Sequence, residues 1–362
     1  MISRQDIYYW KCDRESAFTN DSLISNETSS LEAFISSLLQ EYFGDRSFSV
    51  RSAGGQGNHM TFIVEHQQKK YFLRLENGPE NDVNMEVEAH ILNKVRDVGV
   101  PTPKIYKVDA SRTEVSFAYQ IMEFMDYADL NSIYNETSLK LYRLAENIGS
   151  YMAEWQSIRP KGFGPFNAGI LRKNDKLEGF HESYHDYYFL NLQKHLDYLV
   201  LHNFFSEKEA CCVLEVIREN TEYLNLEQGC LVHKDLALWN ILGDEKHIGA
   251  IIDWDDSISG DPMDDISLMA CFHSKEIVYA ILKGYQNVRP LPDNYIQRFW
   301  LHLLRNMIVK AVIRVGGGYF YKENNFFLIG DWLDNMSLEE FTKKRINIAL
   351  EGLKEGKSLE IL

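Results

Sequence analysis

Between residues 231 and 256 the chain reads LVHKDLALWNILGDEKHIGAIIDWDD, with its polar residues set among apolar ones. A carboxylate in such surroundings is costly unless a cation, a metal or hydrogen-bond donors compensate it. Asp235 and Asn240 stand five residues apart, a spacing that suits a tight loop presenting both to one centre. There an Asp can accept a hydroxyl proton, and an Asn side-chain oxygen is a hard ligand suited to Mg2+. Asp253 sits directly after the apolar run IGAII, as a buried strand would deliver a metal ligand at its end. His233 reads as a brace for the loop rather than a reacting group. Asp255 and Asp256 suit a polar turn as well as they suit a substrate.

Three further groups lie upstream. The segment AGGQGNHMTF (53–62) is rich in glycine, which lets backbone amides approach an anion closely. It lacks the Gly-Lys-Ser/Thr of a phosphate-binding P-loop, and it joins strand to strand, so an ordinary hairpin is the competing reading. Arg74, in YFLRL, is a cation in mid-strand that faces either a phosphate or solvent. Glu88, in MEVEAHIL on the next helix, could hold Arg74 in position, with Glu86 as the rival candidate.

The elements that must position these groups are legible in hydrophobic periodicity. LEAFISSLLQEYF (31–43) predicts a first helix, preceded by several N-cap residues. FSVRSA (48–53), HMTFIVEH (59–66) and KYFLRLEN (70–77) alternate as three strands. NMEVEAHILNKVRDVG (84–99) is an amphipathic helix closed by Gly99, with Pro101 and Pro103 beyond it. PKIYKVDA and SFAYQIMEFM predict two more strands. After Asp126 the pattern turns to long helices at 138–157, 181–202 and 206–224, with several more between 274 and 354. The expectation is an α+β chain with three parts: an extension over 1–30, polar apart from IYYW; a small β-rich lobe over 31–125; and a larger, mainly helical lobe over 126–362.

Taken in order, a Gly-rich hairpin, a basic strand residue, a helical Glu, His-x-Asp-x4-Asn and a strand ending in Asp are the parts of a kinase-type phosphoryl-transfer site. With HKDLALWNIL, IIDWDD and GDPMDDIS as its most specific segments, the chain resembles the aminoglycoside phosphotransferase and choline kinase-like family. GGQGN, EAHIL followed by GVPTP, and GFGPF (162–166) add weaker support. The resemblance runs from about Leu31 to the C-terminal helices and implies a bilobal protein-kinase-like fold. It implies that Asp235 faces the acceptor hydroxyl and that Asn240 and Asp253 hold Mg2+. Arg74, partnered by Glu88, would lie against the phosphates of ATP or GTP. Gly54, Gly55, Gly57 and Asn58 would cover them, and the hinge IMEFM, through Glu123 and Met125, would bind the adenine edge. Asp261 and Asp265 are implied as structural supports, alongside His233. Lys234 stands where the family often has Gly or Asn; it could reach a phosphate or point to solvent.

Two features separate the chain from protein kinases. Ala237 occupies the position, two after Asp235, where those enzymes carry Lys or Arg. IIDWDDSISGDPMDD also runs on without a long activation segment. A small-molecule acceptor is therefore expected, bound by the helical lobe, with Asp255, Asp256 and Glu182 as candidates to meet a cationic one. The formal charge of −15 disfavours nucleic-acid binding and suits a cationic ligand. Five cysteines without a CxxC spacing suggest neither a disulfide framework nor a zinc site. No apolar run reaches membrane-spanning length and residues 1–16 lack a signal-peptide pattern. The expected setting is cytoplasmic, as monomer or homodimer. An aminoglycoside-type antibiotic is the leading acceptor. A metabolite such as choline, ethanolamine, homoserine or a sugar is the alternative, and a nucleotide-binding pseudokinase is the non-enzyme reading. A metal-dependent hydrolase built on His233, Asp235 and Asp253 lacks a second His cluster.

Overall fold

In chain order the structure, a computed structural model, describes residues 3–14, 17–18, 28–54, 59–76, 82–133, 140–322 and 336–362. A short helix α1 (Trp10–Asp13) precedes α2 (Thr28–Phe43), β1 (Phe48–Ser52), β2 (Met60–His66), β3 (Lys69–Glu76), α3 (Asn84–Asp97), β4 (Ile105–Asp109) and β5 (Ala118–Glu123). The five strands form one antiparallel sheet in the order β1-β2-β3-β5-β4. The β2–β3 hairpin turns tightly because Gln67 and Gln68 both adopt left-handed backbone, the geometry that matches strand twist in two-residue turns. One sheet face packs Val64, Leu73, Leu75, Tyr119 and Ile121 against Ile35, Leu38 and Leu39 of α2. Helix α3 ends as its sequence predicts: Gly99 takes a positive φ of 89°, and the Val100 amide returns to the Val95 carbonyl.

Beyond Glu123 the chain crosses through β6 (Ala128–Asp129) and α4 (Leu130–Ile133) into α5 (Lys140–Trp155), β7 (Phe163–Phe166), α6 (Ala168–Asn174), β8 (Gly179–His181), α7 (Tyr184–Phe189), α8 (Leu192–Leu201) and α9 (Glu207–Glu219). Then come β9 (Cys230–Val232), β10 (Ile241–Gly243), β11 (Ile248–Ile251) and β12 (Ile258–Gly260). The chain closes with α10 (Met263–Ala270), α11 (Lys275–Val288), α12 (Tyr295–Gly316) and α13 (Leu338–Glu355). Two small sheets, β11-β10-β6 and β8-β7-β12-β9, form the island of strand that interrupts these helices. Helix α12 runs through the core and is buried without a break from Phe299 to Val312.

The helix expected over 181–202 is two helices. Asn191 takes left-handed backbone (φ 57°) between α7 and α8, a conformation Asn tolerates better than most residues. Its side chain donates to the carbonyl of Asp6 at 2.9 Å. The helix expected over 206–224 ends at Glu219 and tightens into a 3₁₀ turn at Thr221–Leu224. The larger departure is at the start of the chain. Ile7, Tyr8, Tyr9 and Trp10 are all buried, and residues 3–14 form a strap across the helical lobe. Among the described residues no helix is long and apolar enough to cross a membrane.

Helices α5 and α11 pack with backbone nearly in contact. A Cβ on Gly284 would lie 1.8 Å from the Glu146 carbonyl oxygen, and one on Gly149 1.9 Å from that of Ile281. Gly284→Ala therefore has to push the two helices apart. It is expected to lower stability by roughly 1–3 kcal/mol in urea unfolding, the usual cost of overpacking. An unchanged unfolding midpoint would show that the helices do not meet at this position.

Candidate active site

The loop after β9 is held from below by one carboxylate. Asp265, on α10, accepts the backbone N–H of His233 at 2.9 Å and that of Lys234 at 3.0 Å. His233 donates from Nε2 to the Ile252 carbonyl (2.9 Å) and accepts the Asp235 amide at Nδ1 (3.3 Å), with its ring against Trp254. Lys234 takes a positive φ of 71°, which bends the chain sharply just before Asp235. Its side chain reaches neither phosphate space nor solvent. The ammonium is buried, 2.7 Å from Asp264, 3.1 Å from the Tyr8 hydroxyl and 3.2 Å from the Asn306 oxygen. Burial would lower its pKa, but Asp264 outweighs that and raises it. Asp261 braces a neighbouring helix instead of the loop, accepting Arg298 of α12 at 2.8 Å.

Asn240 donates its amide to the Asp235 carbonyl at 2.8 Å, which leaves its side-chain oxygen for another partner. Asp253 follows β11 in left-handed backbone (φ 64°), its carboxylate 3.6 Å from Arg74. Arg74 donates to Glu88 at 2.7 Å, and Glu88 also accepts from the Trp254 amide and the Gln120 side chain. Glu86, the rival candidate, forms a two-pronged pair with Arg172 at 2.6 Å and takes no part in this contact. His59, which no sequence signal singled out, stands 2.6 Å from Arg74 and 3.4 Å from Asp255. Asp255, expected to face an acceptor, is thus turned to His59 and Arg74, and its backbone carbonyl is taken by Arg4 and Asn84. Glu182 is exposed just past β8. Gly54 is described at the end of β1, while Gly55, Gly57 and Asn58 lie outside the described residues.

These groups close one end of a cleft of about 640 Å³ between the lobes. Its apolar walls include Ile63, Phe72, Met122, Leu242 and Ile252, its outer edge is the segment Glu123–Met125, and Arg74, Glu88, Asn240 and Asp253 form its polar end. The electrostatics there are uneven. Burial and the neighbouring Asp255 push the Asp253 carboxyl up to about 6, only partly offset by Arg74. Asp256 is pushed up to about 8 by burial, Asp255 and Asp235. Asp255 is held well below the usual carboxylate range: burial alone would raise it, but His59, Arg74 and Arg4 prevail.

Asp235 itself is covered. The Tyr9 hydroxyl donates to its Oδ1 at 2.5 Å, Lys11 lies 3.1 Å from Oδ2, and Lys310 of α12 lies 3.4 Å from Oδ1. Burial would raise the carboxyl, but Lys11 and Lys310 lower it to about 2. Sequence reasoning missed all three residues. The signals available were faint: aromatic IYYW in a polar leader, and one lysine within the apolar run MIVKAVI of a buried helix.

The family model described as the phosphotransferase enzyme family matches residues 50–295. No curated protein matches the chain. Among solved structures, a thermostable mutant of aminoglycoside phosphotransferase APH(4)-Ia, in ternary complex with AMP-PNP and hygromycin B, is similar to it. That structure is 16% identical with a TM-score of 0.61, covering 89% of this chain and 99% of its own. A candidate fructosamine-3-kinase from Haemophilus somnus 129PT has 14% identity and a TM-score of 0.58, covering 87% and 96%. The streptomycin–ATP–APH(2")-IIa ternary complex has 15% identity and a TM-score of 0.54, covering 91% and 98%. At these identities the likeness fixes the bilobal fold, while the family match takes in both lobes from β1 to the start of α12. The chain belongs to the phosphotransferase enzyme family and is a small-molecule phosphotransferase that acts on hydroxyl groups.

Proposed function

We propose that this enzyme transfers the γ-phosphoryl group of ATP or GTP, held with Mg2+, to a hydroxyl of a small cationic acceptor, an aminoglycoside or related amino sugar. The observation that carries the reading is that Asn240 and Asp253 stand with a buried Arg74 at the polar end of the interlobe cleft, and that Asn240 is bonded directly to Asp235 behind them. The apolar walls suit a purine, and the backbone of Glu123–Met125 suits its polar edge. The donor set fits a hard divalent cation: Asn240 has an uncommitted side-chain oxygen, and Asp253 is a carboxylate short of positive charge. Bound Mg2+ would neutralise charge on the phosphates.

The chain's own residues then do three things. Arg74, fixed by Glu88, orients phosphate oxygens. Asp235 orients the acceptor hydroxyl in line with the phosphorus and takes the proton late. Asp256, half-buried beside Asp235, is the carboxylate that faces a cationic acceptor. The formal charge of −15 supports attraction of such a molecule. Similar folds crystallised with hygromycin B and with streptomycin support a polyhydroxylated cation. For any diffusing acceptor to reach Asp235, Tyr9 and Lys11 must first move aside.

The acceptor class is tested by nucleoside-diphosphate release across amino-sugar antibiotics, choline, homoserine and simple sugars. The highest kcat/KM is expected with an amino sugar, and a clear preference for choline or homoserine would overturn that choice. Excess chelator should reduce turnover to background. Asp235→Asn should lower kcat by roughly 10²–10⁴-fold, the usual worth of a positioned proton acceptor, while nucleotide affinity stays unchanged. Glu88→Gln leaves Arg74 buried without its closest countercharge. Urea unfolding should show a loss of roughly 3 kcal/mol, together with weaker nucleotide binding; wild-type values for both would remove Glu88 from the assigned role.

A further inference from the structure

The strap formed by residues 3–14 is fastened on both sides of Tyr9. On one side Arg4 donates to Asp82 at 2.8 Å and to the Asp255 carbonyl at 2.8 Å. On the other, Asp13 accepts the Tyr8 and Tyr9 amides at 3.1 Å and bonds His195 at 2.8 Å. Tyr8 is clamped between Tyr187 (ring centroids 4.9 Å apart) and the guanidinium of Arg305 (3.7 Å), with Lys234 on its hydroxyl. Tyr9 is therefore held, and what it presents to Asp235 is an alcohol.

We propose that Tyr9 is a phosphoryl acceptor, and that the enzyme phosphorylates this hydroxyl within its own chain. The inference rests on the nucleotide-dependent reading above. The bond from the Tyr9 hydroxyl to Asp235, 2.5 Å long, is the one any acceptor alcohol must make for transfer. No external molecule can make it while the strap is docked, because Asp235 is 2% exposed. Tethering makes the step unimolecular, which removes most of the entropic cost of bringing two reactants together. In the reaction the Tyr9 oxygen forms a bond to the γ-phosphorus as the bond from that phosphorus to the β,γ-bridging oxygen breaks. The phenolic proton passes to Asp235, and the nucleoside diphosphate leaves. Lys11 and Lys310 flank the same carboxylate, and Lys310 lies 5.2 Å from the centre of the Tyr9 ring. They supply positive charge where phosphate oxygens would come to rest. Burial and Asp235 also raise the Tyr9 pKa, so the hydroxyl is protonated and is the donor in its bond to Asp235.

The experiment incubates the intact chain with Mg-ATP, and separately with Mg-GTP, without any acceptor, and maps phosphate by peptide mass spectrometry. The expected result is one phosphoryl group per chain at Tyr9, appearing at a rate independent of protein concentration. Tyr9→Phe should abolish it, and Asp235→Asn should slow it by roughly 10²–10⁴-fold. Mapping on the unaltered chain keeps the result independent of how well either variant folds. Phosphate at another residue, or a rate proportional to protein concentration, overturns the inference. So does an unmodified Tyr9 in protein that binds Mg-nucleotide and turns over an acceptor, and then the proposed function stands. If the chain binds no Mg-nucleotide at all, both readings fall together.

Discussion

Four carboxylates, those of Asp235, Asp253, Asp255 and Asp256, meet at the junction of the two lobes within a volume that cannot hold them all ionised without help. Like charges gathered at one point repel, and solvent reaching the partly exposed Asp253 and Asp256 screens them only in part. The surrounding cations are shared unequally. Asp255 takes Arg74, His59 and Arg4, and Asp235 takes Lys11 and Lys310, so both sit below the usual range. Asp253 and Asp256 are left short, at about 6 and about 8. The site therefore carries a local deficit of positive charge beside Asn240, the feature on which the proposed binding of a hard cation rests.

Holding these groups together needs a rigid floor, and α10 with α12 provides it. Asp265 caps two successive amides of the loop, Asp264 pairs with Lys234, and Asp261 ties α10 to Arg298 on α12. Lys234 joins two jobs. Its left-handed backbone bends the chain just before Asp235, and its buried ammonium grips Tyr8 of the strap. A buried charge pair of this kind adds little net stability over apolar packing, but it strongly penalises any arrangement that breaks it. The conformation of the loop that carries Asp235 and the seating of the strap are thus set by one network.

Much of this was readable beforehand because it is local. The strands and helices that carry Arg74, Glu88, Asp235, Asn240 and Asp253 follow hydrophobic periodicity, and the spacing of Asp235 and Asn240 reflects a single loop. The choice between Glu86 and Glu88 was not local, since it depends on which side of α3 meets the sheet; Glu88 lies on the buried face with Val87 and Ile91, while Glu86 finds Arg172. Asp255 differs from its expected role because the path of the chain after Asp253 swings it toward His59 and Arg74. The strap left almost no trace. Its burial comes from contacts with residues nearly two hundred positions away, such as Tyr187 and His195, and four aromatic or aliphatic residues in a polar leader do not define a period.

The missing cation at Ala237 brings these threads together. Protein kinases carry a basic residue two positions after the Asp that Asp235 matches. Here the cations beside Asp235 are Lys310 in the core and Lys11 on the strap, over sequence separations of 75 and 224 residues. The two sources differ in permanence. Lys310 is fixed in a buried helix, whereas Lys11 stays only while the strap is docked. Withdrawing Lys11 removes the larger of the two charges that hold Asp235 near 2, and the same opening relieves the burial that opposes them. The cover over Asp235 and part of its countercharge therefore travel together, because Tyr9 and Lys11 sit on one short segment.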